Sequence, residues 1–221
     1  MKIRWLGHSS FLITSTSGTR VVTDPYAPEV GFSFPGVSAE LVTVSHDHFD
    51  HNNSRVVHGA PVVVSSVGDC ERCGVRLQGI PSYHDECEGA KRGKNTVFLI
   101  EVDGVKICHL GDLGEPLNSD LATKLSGVDI LLIPVGGTYT LDAKHAREYV
   151  EAIKPKIVIP MHFKSSGHAF DIDGIEPFER AMGEYSFTHL GADTLPITRA
   201  TLDGIDETKI IVLERKRGFS K

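Results

Sequence analysis

Four cysteines in 221 residues are too few to act as a disulfide framework in a chain of this length. Cys70-Glu71-Arg72-Cys73 is a lone Cys-x-x-Cys with no second pair. A structural zinc site takes four ligands, so Cys70, Cys73, Cys87 and Cys108 are expected to be ordinary reduced thiols. Positive charge is in deficit as well: 23 Lys and Arg face 29 Asp and Glu, for a formal net charge of −6. That balance leaves no electrostatic footprint for nucleic acid or an anionic membrane, and neither is expected as a partner. No apolar run approaches the ~20 residues of a membrane span. Met1-Lys2-Ile3-Arg4-Trp5 enters a strand-like pattern without an apolar signal region, which sets the expectation of a soluble cytoplasmic protein. Repeats, low-complexity tracts and linkers are also missing, so one domain over residues 1–221 is expected.

What is present is a series of short apolar strands that end in metal-ligand residue types. Arg20-Val21-Val22-Thr23 ends at Asp24. Leu41-Val42-Thr43-Val44 opens into Ser45-His46-Asp47-His48-Phe49-Asp50-His51. The strand predicted from Val75 to Pro81 leads to His84, Val105–His109 leads to Asp112, and Lys156–Ile159 leads to His162. Five such endings point to one site along a sheet edge, where α/β folds bind ligands. Pro61–Ser65 reads as a further buried strand, and Asp103-Gly104 as a hairpin turn. Helices are expected at Ser119–Leu125 and Ile175–Met182. Asp142–Ile153 is expected as an amphipathic helix, with Ala146, Tyr149, Val150 and Ile153 on one face and Thr140 or Asp142 as its cap. Asn52-Asn53-Ser54 is expected to cap a short helix that runs to Val57.

The ligand count suits two divalent ions. His46, His48 and His84 supply three nitrogens to one, Asp50, His51 and His162 a mixed set to the other, and Asp112 has two oxygens with which to bridge them. Water shared by two such ions is acidified and becomes a nucleophile at neutral pH. Two ions against two carboxylates leave a positive site that favours anionic or strongly polarised groups, such as phosphate esters and carbonyls. Zinc fits the donor set, and manganese and iron suit the same His and carboxylate ligands.

These residues, in this order, resemble the metallo-β-lactamase superfamily over about residues 1–165. The resemblance rests on Asp24, the His46-x-His48-x-Asp50-His51 run, His84, Asp112 and His162. It implies an α/β fold, a four-layer αββα sandwich with a dinuclear site, and a supporting role for Asp24 behind a ligand histidine. Further motifs narrow it: Gly7-His8-Ser9, Asp24-Pro25, His109-Leu110-Gly111-Asp112, Pro134-Val135-Gly136-Gly137, Pro160-Met161-His162-Phe163 and the loop Gly89–Thr96. They look like the hydrolase branch that includes ascorbate-6-phosphate lactonase-like proteins. His48 stands where flavodiiron-type members have a carboxylate, which favours hydrolysis over redox chemistry.

Beyond ligation, Asp50, His8 and His168 are the candidates for catalytic work. His8 either contacts substrate at the metal edge or bonds the backbone at a strand end. His168 either assists leaving-group protonation or is incidental. Arg92 and Lys94 hold a substrate anion or lie on a solvated loop, and Phe32 and Phe34 wall a pocket or pack their own loop. His109 is expected to be buried structure and His145 a surface group. The expected activity is metal-dependent hydrolysis of a small polar or anionic ester, lactone or phosphodiester. Two rivals stand beside it: a nuclease on the same fold, for which the tail Glu214-Arg215-Lys216-Arg217 is the sole basic hint, and a non-enzymatic metal-binding or sensor protein.

Overall fold

The computed structural model describes residues 1–215. Lys216 and Arg217 of the basic tail lie outside the described residues. In chain order the strands are β1 (Lys2–Gly7), β2 (Ser10–Thr14), β3 (Arg20–Thr23), β4 (Leu41–Thr43), β5 (Val62–Val64), β6 (Gly68–Arg72), β7 (Val75–Tyr83), β8 (Lys94–Val102), β9 (Val105–His109), β10 (Ile130–Pro134), β11 (Ile157–Met161), β12 (Ser186–His189), β13 (Thr194–Pro196) and β14 (Lys209–Val212). The α-helices are α1 (Ser119–Lys124), α2 (Ala143–Ile153), α3 (Glu176–Ala181) and α4 (Arg199–Asp203).

The strands form a six-stranded sheet, β13-β1-β2-β3-β4-β5, and an eight-stranded sheet, β12-β14-β11-β10-β9-β8-β7-β6. Ile3, Trp5, Phe11 and Ile13 of the first sheet share one apolar core with Val97, Ile100, Ile107 and Leu132 of the second. Strands β10 and β11 are buried along their whole length, which is why Ile130–Ile133 and Ile157–Ile159 read as continuous apolar runs. Helix α2 buries Ala146, Tyr149, Val150 and Ile153 in that core, and Asp142 caps it by accepting the His145 N–H at 2.9 Å. The other face of the six-stranded sheet is covered differently. Val22 and Val42 pack there with Val37 and Ala39, from the irregular segment before β4, and with Val57, which follows the 3-10 turn Ser54–Val56. The αββα order is therefore present, with its first layer built mainly from loops.

Strand direction fixes where the site forms. Strands β3, β4 and β5 run parallel, as do β9, β10, β11 and β14. Their C-terminal ends consequently share a rim. Strand β7, two antiparallel steps from β9, ends on the same rim.

Several local expectations are corrected. Val62–Val64 is a strand but is not buried: Val62 is 45% exposed and Val63 46%, because β5 is the open edge of its sheet. The predicted helix after Asn52 is only the 3-10 turn, and Asn53 at its start makes no capping bond. Strand β6 was not expected. It forms the outer edge of the larger sheet, and Cys73-Gly74, both left-handed, turn the chain into β7, so the Cys-x-x-Cys segment is a hairpin. All four cysteines are free. Phe32 and Phe34 pack edge-on against Tyr26, with ring centroids 5.3 and 5.0 Å away.

Candidate metal centre

Asp24 follows β3, the His46–His51 loop follows β4, His84 follows β7, Asp112 follows β9 and His162 follows β11. Three residues that turn the chain at this rim, His8, Asp24 and His162, have left-handed backbones with φ of 50°, 41° and 50°. Non-glycine residues rarely adopt that conformation, and its clustering here marks a site held against local preference. Two glycines let the sheets close around it. A side chain at Gly111 would strike Ser45 and Asn95, and one at Gly136 would strike the His162 carbonyl.

The structure brings together all seven ligand candidates. Asp112 Oδ2 lies 3.1 Å from His51 Nε2, 3.3 Å from His84 Nε2, 3.3 Å from His162 Nε2 and 4.0 Å from His46 Nε2. His46 Nε2 is 3.0 Å from His48 Nδ1. His46, His48 and His84 form one compact group; Asp50, His51 and His162 form another, which also contains His8; and His46, His51 and Asp112 link the two. One side of the centre belongs to the six-stranded sheet and the other, His84, Asp112 and His162, to the eight-stranded sheet.

Three imidazoles have their tautomers fixed from behind. Asp24 accepts from the Ser45 N–H (2.8 Å), the Ser45 hydroxyl (2.5 Å) and His51 Nδ1–H (2.8 Å). Because the Ser45 proton goes to Asp24, its oxygen accepts from His46 Nδ1–H at 2.9 Å. His84 Nδ1–H donates to the Tyr139 carbonyl at 3.1 Å. Each bond leaves an Nε2 lone pair aimed at the centre. His51 Nε2, Asp112 Oδ1 and His162 Nδ1 are buried with no hydrogen-bond partner. Buried polar atoms without partners are costly. Ligands of a tetrahedral zinc stand ~3.4 Å apart, the scale of the separations here. Orphaned atoms, inward lone pairs and ligand spacing all fit a metal centre.

His8 and His168 make a separate chain of bonds. The Phe170 N–H donates to His168 Nδ1 at 3.3 Å, His168 Nε2 meets His8 Nδ1 at 3.0 Å, and His8 Nε2 meets Asp50 Oδ2 at 3.1 Å. A neutral imidazole has one donor and one acceptor, so protons run in one direction: His168 donates to His8, and His8 to Asp50. Both nitrogens of each ring are occupied. His168, expected either to protonate a leaving group or to be incidental, is placed behind His8, with its Nε2 on His8 and its Nδ1 on the Phe170 N–H. His8 stands between His168 and Asp50 in that chain.

His109 is buried, donates to the Ser9 carbonyl at 2.7 Å and accepts the Gly111 N–H at 3.1 Å, the structural role expected of it. His145 pairs with Asp142 on the surface. Sequence reasoning missed Asp85. Its carboxylate accepts four backbone N–H groups, from Cys87 (2.8 Å), Gly89 (2.9 Å), Lys91 (2.9 Å) and Arg92 (2.7 Å), and so shapes the loop that carries Arg92. An aspartate next to a ligand histidine and ahead of a Gly-rich loop was the available signal.

A cavity of about 550 Å³ opens over the centre. His48, Asp50, His84, Asp112 and His162 form its floor. A larger cleft of about 920 Å³ lies beyond the end of α2 and contains none of the clustered ligands.

Charge in the site follows from burial and mutual proximity. Burial, then the neighbouring His162, pushes His8 down to about 3, and burial with His51 takes His46 to about 3. Burial raises Asp50 and Asp112, but the surrounding histidines outweigh it and hold both below the carboxylate range. His51 moves the other way: burial lowers it, and Asp112 with Asp50 lifts it well above the usual value. Between pH 6.5 and 3, the unfolded chain therefore takes up protons that folded His8 and His46 refuse. Stability of the metal-free protein should fall on acidification through that window, by up to ~1.4 kcal/mol per pH unit for each such histidine, while His51, protonated in both states below pH 6.5, adds no slope there. Calorimetry of chelator-treated protein from pH 7 to 5 should show a falling Tm. A flat profile contradicts the assignment.

The comparisons agree with this geometry. A family model described as the beta-lactamase superfamily domain matches residues 2–162, and the chain belongs to that superfamily. It is 30% identical over 193 residues to a UPF0173 metal-dependent hydrolase of Thermococcus onnurineus, covering 75% of this chain and 85% of the relative. Against the corresponding protein of Methanoregula boonei it is 32% identical over 188 residues, covering 75% of this chain and 83% of that one. A solved Thermotoga maritima structure of the metallo-β-lactamase superfamily aligns with a TM-score of 0.77 at 33% identity, over 96% of this chain and 97% of that one. Within the superfamily, the chain is a metal-dependent hydrolase.

Proposed function

We propose that the chain is a dinuclear hydrolase, of zinc in the first instance, acting on a small polar or anionic ester, lactone or phosphodiester. The observation that carries this is the convergence of His51, His84 and His162 on Asp112 Oδ2 within 3.3 Å, amid buried atoms that have no partner. His46, His48 and His84 would hold one ion and Asp50, His51 and His162 the other, with Asp112 between them. Manganese and iron suit the same donors. Ions held there acidify water and polarise a carbonyl or phosphoryl oxygen.

The chain's own residues set the rest. Asp24 and Ser45 orient His51 and His46. His8 fixes the Asp50 carboxylate, and His168 fixes the tautomer of His8. His8 and His168 are thus positioning residues. Membership of the lactonase-like branch is the finer reading, supported by the motifs around Gly7-His8-Ser9 and Pro160–Phe163.

Metal analysis of the purified chain, followed by an ester, lactone and phosphodiester panel on that form, tests the reading. Two equivalents of metal and chelator-sensitive turnover are expected. Loaded protein that turns over no member of the panel would favour the sensor reading. In the same assay His168→Ala should keep its metal and lose about 10- to 100-fold in kcat, with KM little changed. His168→Gln, whose amide N–H still donates to His8, should recover part of that loss. Loss of metal in both variants would make His168 merely structural.

A further inference from the structure

One wall of the cavity is unlike its floor. Phe49, Tyr139 and Phe170 line it together with Arg92. Phe49 is 48% exposed and Tyr139 40%, at the mouth of a polar site. Large rings left open to water around a cavity mark a recognition surface. Phe170 joins them, edge-on to Phe49 at 5.9 Å and to Tyr139 at 6.3 Å.

Arg92 supplies the charge. Its guanidinium lies 5.5 Å from the Tyr139 ring and donates to the Thr138 carbonyl at 3.1 Å. Among the described residues no carboxylate pairs with it, and the rest of its donor edge has no partner there. Arg92 is also fixed from behind, since its own backbone N–H is one of the four that Asp85 gathers.

The wall is tied to the metal centre by covalent sequence and hydrogen bonds. Phe49 lies between His48 and Asp50. The Tyr139 carbonyl holds His84 Nδ1. A group stacked against these rings is therefore held at a set distance from the centre.

We propose that this wall is a subsite for the non-reacting part of the substrate, a planar aromatic or unsaturated group bearing an oxyanion. The ring lies among Phe49, Tyr139 and Phe170, and the oxyanion, carboxylate or phosphate, takes the open edge of the Arg92 guanidinium. Offset and edge-on ring contacts favour flat π systems over saturated rings. The planar guanidinium fork matches an oxyanion in a way that a lysine does not. The inference rests on the hydrolase reading, since it assigns the substrate class of that same site.

The test uses the metal-loaded full chain and two ring-bearing anions, benzoate and phenylphosphonate, each against its cyclohexyl counterpart. Calorimetric titration should give the aryl member of each pair about tenfold tighter binding. Phe49→Leu and Tyr139→Leu should each erase that preference by removing a ring, at unchanged metal content, since neither alters the Tyr139 carbonyl that holds His84. Arg92→Gln should weaken both aryl anions about tenfold at unchanged metal content, the larger loss telling phosphate from carboxylate. Equal affinities for aryl and cyclohexyl anions would overturn the proposal. Unchanged affinity in Arg92→Gln would overturn it too, because the anion would then sit on the metal alone. Failure of the hydrolase reading looks different: aryl anions bind as expected while no substrate turns over.

Discussion

Asp112→Asn is expected to cut turnover by about 10³-fold or more and to lower metal content, with the sandwich still folded. Asp112 is the carboxylate on which imidazoles from both sheets converge, at 3.1 Å for His51 and 3.3 Å for His84 and His162. It is 2% exposed, so no water replaces it as a counter-charge. Asparagine keeps its shape and removes only the charge. The nearby bond that seats the strand end, from the Asp112 N–H to Asn95 Oδ1 at 3.0 Å, uses the backbone and survives the change. Circular dichroism separates misfolding from loss of the centre, and Asp112→Ala and His48→Ala are the harsher companions. Turnover close to wild type at matched metal would remove Asp112 from the centre altogether.

The second large effect is expected at Asp24, which touches no substrate. Asp24→Ala strips the acceptor from three buried donors: the Ser45 N–H, the Ser45 hydroxyl and His51 Nδ1–H. An orphaned buried donor costs roughly 1–3 kcal/mol, and breaking a buried charged pair roughly 3–5 kcal/mol. The metal-free protein should therefore lose about 3–5 kcal/mol against urea. Metal affinity should fall by about 10- to 100-fold, because His51 loses the partner that fixes its tautomer. The φ of 41° at Asp24 adds strain for alanine that asparagine tolerates better. Asp24→Asn is thus the control: it keeps one acceptor oxygen and the backbone, and should fall between wild type and Asp24→Ala in both measures. Indistinguishable stability and affinity in all three proteins would sink the supporting role.

Much of the fold and of the candidate site was legible because the information was local. A β-branched run that stops at a histidine or aspartate announces both a strand and its functional end, and His46 to His51 carries four of the seven ligand candidates in six residues. What stayed hidden depends on partners far along the chain. His8 and His168 are 160 positions apart, and neither bears a local mark of the other. Asp85 works through backbone N–H groups, which every non-proline residue supplies, so no side-chain pattern betrays it. Tyr139 and Phe170 join Phe49 from separate loops that carry no periodicity. The exposure of β5 was unreadable for a related reason: Val62–Val64 looks buried until the sheet is known to end there.

The division of the ligands between two sheets has a temporal side. A chain made from its N-terminus presents His46, His48, Asp50 and His51 early, together with Asp24. His84 and Asp112 follow at long intervals, and His162 comes only with β11. On the proposed ligand set, an ion taken up early would be gripped by half of its donors, and the full grip would appear only when the larger sheet closes over the smaller. Tight metal retention is then a certificate that both sheets have formed and met, and a chain stalled halfway lets its ion go.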